Sequence, residues 1–156
     1  MPIANVDFNT VPEDELLVSL GKVLVRASQT EHSLRLLIKD LAGRAYGEGM
    51  AKTNKSSNLG SLKDCLCSMV GTGQYSRIRA LDAAGLKKLR KIMSDTIAVA
   101  ELRNRICHTC WAVGAKKVPD EVLSDFHKKA AKLMNSVEEF RHPRFHEGTK
   151  ADIKSW

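Results

Sequence analysis

The sequence predicts an all-α protein, a bundle of four to five helices with long first and third helices. Apolar residues recur at alternating spacings of three and four along most of the chain, and the alternation typical of strands is nearly absent. With 156 residues, 43% of them hydrophobic, the chain is long enough to bury a core. We expect one domain over residues 1–141 and a loosely ordered tail over residues 142–156.

The first helix is predicted to begin after Thr10, which can form a capping box with Glu13, and to stop at Gly43. Its spacing indicates an inward stripe of Leu17, Leu20, Leu24, Ala27, Glu31, Leu34, Ile38 and Leu41. Residues 43–58 are rich in Gly, Ser, Asn and Lys, which is typical of a connection between helices.

Three further helices are predicted. A short second helix contains Leu62 to Val70 and is closed by the turn at residues 71–73. A third starts between Tyr75 and Leu81 and runs to about Val113, with a bend near Gly85, where glycine weakens a helix. The last helix starts at Pro119 and Asp120. Its predicted inward residues are Leu123, Phe126, Leu133, Met134, Val137 and Phe140.

Each long helix carries one charged residue on its predicted inward stripe, Glu31 on the first and Arg103 on the third. A buried charge without a partner costs several kcal/mol. We therefore expect Glu31 and Arg103 to form an ion pair across the bundle. The alternative is that both stripes face partly outward at this point and that Glu31 bonds locally to Arg35.

A second row of residues on the third helix combines several kinds of hydrogen-bonding group. Ile97, Glu101, Asn104, His108 and Trp111 are spaced by four and three, so they share a face beside the core stripe. A single histidine near a core is most often structural. Here a carboxylate, an amide and an indole share its face, which favours a functional role.

The four cysteines permit a zinc site or a redox pair, since Cys107 and Cys110 form C-x-x-C, and Cys65 and Cys67 form C-x-C. A redox C-x-x-C lies at a helix N-terminus, whereas this one lies near a helix end. C-x-C within a helix points its two sulfurs in nearly opposite directions, which suits one metal ion poorly. We interpret all four as reduced core residues and expect no metal and no cofactor.

The net charge of +7 favours a polyanionic partner, with nucleic acid ahead of an anionic membrane surface or an acidic protein. The N-terminal residues lack the features of a secretory signal, and no stretch is long and apolar enough to span a membrane. A cytoplasmic protein without a membrane anchor is expected.

The segment Arg103-Asn104-Arg105-Ile106-Cys107-His108 reads R-N-x-x-x-H near the end of a late helix. It resembles the signature of the HEPN superfamily of small helical bundles. The segment LGKVLVRASQTEHSLRLLIKDL, with its Glu31, also resembles bacterial and phage-type members. The resemblance covers the first helix and the motif helix, about half of the chain.

The resemblance implies a metal-independent endoribonuclease, acting as a homodimer whose two motifs meet in one cleft. It implies that His108 transfers a proton at a ribose 2′-hydroxyl, that Arg103 stabilises charge on the phosphorus oxygens, and that Asn104 orients the phosphate or His108. Arg105 is an alternative cation for the phosphate. Glu31, Glu101 and Trp111 would support the site, with Trp111 stacking on a base.

Two hypotheses remain open from the sequence. The first is an RNase-like protein that acts on RNA, serves as a toxin or defence component and has an antitoxin protein as a further partner. The second is a catalytically silent helical interaction or RNA-binding module in which the motif is structural. A homodimer is expected because the long helices carry apolar residues that one bundle stripe does not use, namely Val23, Leu37, Ile92 and Val99.

Overall fold

The computed structural model describes residues 14–44, 58–110 and 117–154, of which residues 109–110 and 146–154 are described for the backbone only. Every secondary-structure element within these ranges is a helix, which confirms the all-α prediction. The helices are α1 (Asp14–Ala42), α2 (Leu59–Thr72), α3 (Ser76–Arg79), α4 (Ala83–Cys110) and α5 (Asp120–Lys154). The predicted capping box of Thr10 and Glu13 lies outside the described residues.

The helix ends follow local sequence signals. Gly43 ends α1 with a left-handed φ of 68°, as predicted, and Gly73 ends α2 with a φ of 64°. Asn58 caps α2, because its side chain accepts a hydrogen bond of 2.8 Å from the Ser61 amide. These caps satisfy backbone groups that would otherwise lack partners at the helix termini.

The predicted third helix is two helices, α3 and α4, separated at residues 80–82 rather than bent within one helix. The Asp82 side chain accepts a hydrogen bond of 2.7 Å from the Gly85 amide and so starts α4. A Cβ at Gly85 would lie 2.9 Å from the Asp82 carboxylate oxygen. Gly85 therefore lies in the first turn of α4, close to the Asp82 cap, and is not a bend inside a helix.

The packing of α5 against α1 dominates the bundle. Arg141 of α5 contacts Asp40 of α1, and Arg26 of α1 acts electrostatically on His127 of α5. The two helices therefore run in the same direction. Helix α4 packs against α5 and runs the opposite way, with its start near Arg144 and Arg103 near Glu31. Helix α2 lies against α4 and α1 and covers the region around the motif.

The apolar core runs through all five helices. Val23, Leu37, Ile92 and Val99, which the sequence analysis assigned to a surplus outer flank, are all buried in this chain's own core. Leu17 and Leu24, which it assigned to the inward stripe of α1, are exposed instead. Apolar residues occupy two faces of the N-terminal half of α1, so that spacing alone did not show which face the bundle buries.

Helix α5 does not end at Arg141. It continues across Pro143 and contains one residue with non-helical angles, Phe145, with φ −128° and ψ 15°. A proline inside a helix removes one backbone donor and bends the helix, which accounts for a kink here. Arg144 lies 4.3 Å from the ring centre of Phe140. The predicted boundary at residue 141 thus falls inside a helix, and the looseness of residues 142–156 stays a prediction.

Candidate functional site

The predicted functional row lies on the solvent side of α4. Ile97, Glu101, Asn104 and His108 are all exposed, while Leu102 and Ile106 between them are buried. The spacing of four and three residues therefore places these four side chains on one face, as the sequence indicated. The fifth predicted member, Trp111, lies outside the described residues. The row is open to a large ligand such as a nucleic acid.

Arg103 lies at the border between this face and the core. Its side chain is half-buried, and its Nη1 donates a hydrogen bond of 2.9 Å to the Oδ1 of Asn104. Its Nε is buried without a hydrogen-bond partner among the described residues. The bond to Asn104 holds the guanidinium toward the exposed row, and the guanidinium keeps donors that an anion could accept.

The prediction of a buried ion pair between Glu31 and Arg103 is wrong. Both side chains are only half-buried, and the described residues show no direct ion pair between them. Glu31 instead accepts a hydrogen bond from the backbone N–H of Leu59, the first residue of α2. A helix N-terminus is a favourable partner for a carboxylate because its N–H groups lack acceptors.

Burial raises the pKa of Glu31 above its usual value, and this effect exceeds the opposing ones. The charges of Arg103 and Arg35 and the Leu59 hydrogen bond act to lower the same pKa. The positive charges of Arg103 and Arg35, the two partners expected from the sequence, therefore both act on the Glu31 carboxylate. The hydrogen bond of Glu31, however, is to the start of α2. The spacing of residues within α1 carries no information about that contact.

A small cleft of about 90 Å³ lies where α2 begins beside the motif helix. It is lined by Asn58, Leu59, Gly60, Ala100, Arg103 and Asn104. A guanidinium, an amide and the positive end of a helix dipole border this space. The arrangement suits an oxygen of an anion such as a phosphate, although Glu31 already uses the Leu59 donor.

His108 stands apart from this cleft. It is exposed, and no hydrogen bond among the described side chains joins it to Asn104 or to Arg103. Five residues of helix correspond to a rotation of roughly 140°, so Arg103 and His108 point to different sides of α4. Arg105 and Glu101 are exposed as well. The structure brings Arg103, Asn104 and Glu31 to one region, and it does not bring His108 into it.

The prediction that the cysteines are core residues is confirmed only in part, since Cys65 packs against the core without being fully buried. Cys65, Cys67 and Cys107 are thiols with half-buried side chains, and the side chain of Cys110 lies outside the described residues. Within the described ranges, no three His, Cys, Asp or Glu side chains are grouped so that they could hold a metal ion.

Sequence reasoning missed the buried charges at the other end of α1. The carboxylate of Asp40 lies 2.9 Å from the Lys39 Nζ and 2.6 Å from the Arg141 Nε, and all three side chains are at least nine-tenths buried. Arg141 also contacts Glu138 at 2.8 Å, and Arg77 donates to the Asp40 carbonyl at 2.6 Å. The spacing of residues in α1 does not predict that Asp40 is buried, because the residues that cover it belong to α3 and to α5.

Basic residues also line a groove between α1 and α5. Lys22, Arg26 and His127 line it together with Gly21, Val25 and Gln29. Burial lowers the pKa of His127, and the charges of Arg26 and Lys22 lower it further. The Nδ1 of His127 is buried and has no partner in the described part of the chain. These effects favour the neutral form of His127.

The chain was compared with protein-family models, with curated proteins and with solved structures, and none of the three comparisons found a match. Among the helices that the structure describes, none has the length and apolar character required to cross a lipid bilayer.

Proposed function

We propose that this chain is a HEPN-type, metal-independent endoribonuclease, or an RNase-like protein of that type, which acts in the cytoplasm as a toxin or defence component. The supporting observation is the exposed row of Glu101, Asn104 and His108, with Arg103 bonded to Asn104 at its edge. A base, a cation and an orienting amide are the groups that phosphodiester cleavage requires. The net charge of +7 favours RNA as the polyanion.

In the proposed reaction, His108 removes the proton from a ribose 2′-hydroxyl. The 2′-oxygen then forms a bond to phosphorus, and the bond from phosphorus to the 5′-oxygen breaks as that oxygen receives a proton from solvent. Arg103 stabilises the charge on the phosphorus oxygens in the transition state. The products are a 2′,3′-cyclic phosphate and a 5′-hydroxyl. A histidine side chain is suited to act as a base near neutral pH.

A second copy of the chain takes part in the proposed reaction. Arg103 and His108 point to different sides of α4, so one copy does not direct both at the same phosphate. A homodimer supplies Arg103 from one copy and His108 from the other. An antitoxin protein that covers the exposed row is a further proposed partner.

The direct test is incubation of the purified protein with mixed RNA in EDTA, followed by analysis of the fragment ends. We expect cleavage that leaves cyclic phosphate and 5′-hydroxyl ends. His108→Ala should lower the rate by ~10²-fold or more, because it removes the general base. His142→Ala, which changes an exposed histidine outside the motif, should retain the rate. Cleavage that EDTA abolishes, or that His108→Ala retains, would reject the mechanism.

One observation favours a second function, a catalytically silent interaction or RNA-binding module. His108 forms no hydrogen bond with Arg103 or Asn104 in the described residues, whereas Arg103 and Asn104 bond to each other beside α2. In that case the Arg-Asn pair positions α2, and His108 is a surface residue. RNA binding without cleavage, weakened by Arg103→Ala and unaffected by His108→Ala, would support this module.

A further inference from the structure

The groove between α1 and α5 brings together three basic side chains. It has a volume of about 520 Å³ and is lined by Gly21, Lys22, Val25, Arg26, Gln29 and His127. None of these described lining residues is acidic. Lys22 and Arg26 belong to α1 and His127 belongs to α5, so the packing of the two helices creates the basic groove.

Lys22 and Arg26 lack the acidic partner that another exposed cation of this chain has. Lys91 of α4 lies 3.0 Å from Asp95, four residues further along the same helix. In α1, by contrast, no Asp or Glu lies three or four residues from Lys22 or from Arg26. Neither cation forms an ion pair within the ranges that the structure describes. Because like charges four residues apart on a helix repel each other, an anion bound beside them would stabilise this part of α1.

His127 faces the same two positive charges from α5. Burial lowers its pKa, and the charges of Arg26 and Lys22 lower it further. The residues three and four positions away along α5 are all uncharged, namely Leu123, Ser124, Ala130 and Ala131. The Nδ1 of His127 is buried without a hydrogen-bond partner in the described part of the chain. An anion in the groove would therefore offset a repulsion that the neighbouring turns of α5 leave in place.

The donors around the groove suit a phosphate group better than a carboxylate. Lys22 offers three N–H donors and Arg26 a planar fork. Arg26 Nη1 donates a hydrogen bond of 3.3 Å to Gln29 Oε1, which holds the guanidinium beside the amide and leaves the amide N–H groups to donate. A carboxylate has two oxygens to accept these bonds, whereas the phosphate of a monoester has three that are not esterified.

The groove has room for more than the phosphate itself. Its volume of about 520 Å³ lies within the range of small-molecule sites, roughly 300–1,000 Å³. Val25, which is 60% exposed, borders the same space as the basic residues. Gly21 borders it as well, and a Cβ added there would meet no atom within 4 Å. Apolar surface and open space next to the donors can hold the organic part of an ester.

We propose that the groove of Lys22, Arg26, Gln29 and His127 binds the phosphate group of a phosphate ester. Both a small phosphate ester and the backbone of RNA present this group, and the same donors recognise it in either. The inference does not rest on the ribonuclease proposal, because no described residue that lines the groove belongs to the R-N-x-x-x-H motif.

The first test is a titration of the full chain with inorganic phosphate and with uridine 5′-monophosphate, followed by the NMR signals of the histidine rings at low ionic strength. His127→Asn identifies the His127 signals by their loss. We expect these signals to shift saturably with either ligand. The pKa of His127 should also rise on binding, because an anion favours the protonated ring. The same result in His108→Ala would separate this site from the motif.

Variants of the groove test which groups bind the ligand. Arg26→Gln should weaken both ligands about tenfold, because it removes charge-assisted hydrogen bonds, and Lys22→Gln provides a second measurement at an exposed position. Arg90→Gln, at an exposed arginine of α4, loses the same charge and should retain the affinity. Circular dichroism should show equal helix content in all three. Equal weakening by Arg26→Gln and Arg90→Gln, or His127 signals that do not move at tens of millimolar phosphate, would overturn the inference.

A single-stranded RNA with hydroxyl groups at both ends distinguishes the two sources of phosphate. Its affinity is measured in the His108→Ala background, so that cleavage does not consume it. If the RNA backbone occupies the groove, Arg26→Gln should weaken this RNA and reduce the slope of log affinity against log salt by about 0.7. If a small ester occupies it, Arg26→Gln should weaken uridine 5′-monophosphate and leave the RNA affinity unchanged.

Discussion

The bonding partner of Glu31 differs from the one that its position in the sequence predicts. It is the only charged residue on the predicted stripe of α1, which favoured a buried ion pair with Arg103. In the structure it accepts a hydrogen bond from Leu59, and burial raises its pKa. Removing Glu31 should therefore be mild, whereas breaking a buried ion pair costs about 3–5 kcal/mol.

This difference gives a prediction for Glu31→Gln. Because the pKa of Glu31 is higher in the folded protein than its usual 4.5, ionisation of Glu31 favours the unfolded chain. Its contribution to stability is therefore complete below pH 4.5 and decreases as the pH rises above that value. Glutamine keeps an oxygen for the Leu59 N–H and does not ionise. The free energy of unfolding of the variant, relative to the wild type, should thus increase between about pH 4 and pH 7.

Urea denaturation at both pH values and at constant ionic strength measures this difference. Glu101→Gln, at an exposed glutamate of α4, is the matched control for loss of a carboxylate charge. A Glu31→Gln variant that loses about 3 kcal/mol or more at neutral pH would contradict our interpretation and restore the ion pair with Arg103.

At the scale of the helices, the buried charges of Asp40 and Arg141 connect the end of α1 to α5. The two residues are separated by 101 positions in the chain and by 2.6 Å between Asp40 Oδ2 and Arg141 Nε. Both side chains are less than a tenth exposed. Such a pair fixes how two helices are aligned, because a shift of either helix would leave a buried charge without its partner.

Arg141→Met should therefore destabilise the protein by about 3–5 kcal/mol, since it leaves the buried Asp40 carboxylate with Lys39 alone. The double variant Asp40→Leu with Arg141→Met should cost less than the sum of the two single losses, because each single change already removes the same ion pair. Chemical denaturation of the wild type, both single variants and the double variant gives the coupling energy. Strictly additive losses in this cycle would show that the pair does not act as a unit.

The elements differ in how well the sequence predicted them. The all-helical architecture, the end of α1 at Gly43 and the shared face of Ile97, Glu101, Asn104 and His108 all follow from local spacing and caps, and the structure agrees. The buried face of the N-terminal half of α1 was predicted only in part, since Leu20 and Ala27 pack on the core but Leu17 and Leu24 are exposed. Both Leu16 with Val23 and Leu17 with Leu24 are apolar pairs seven residues apart, so only the position of α5 decides which pair is buried.

The contacts of the candidate site were harder to predict, because they also depend on how distant parts of the chain pack together. The arrival of the α2 N-terminus at Glu31 and the burial of Asp40 by α3 and α5 both depend on residues that are distant in the chain. Periodicity within one helix carries no information about such contacts. The R-N-x-x-x-H segment could be identified because all its members lie within six residues.

At the scale of the whole molecule, the central claim is that a ribose 2′-hydroxyl is the nucleophile and His108 its base. The exposed motif face and the basic charge of the chain support this chemistry without requiring a particular sequence of RNA. The claim can be tested on the substrate, independently of whether any variant folds.

The decisive measurement uses an RNA oligonucleotide that the protein cuts at a mapped linkage, together with a matched oligonucleotide in which that one ribose is replaced by 2′-deoxyribose. We predict that cleavage at this linkage is lost, while any other cut in the same molecule is retained, because only the attacking hydroxyl has been removed. Cleavage of the deoxy-substituted linkage at an unchanged rate would contradict the claim, since the nucleophile would then have to be water or a protein group.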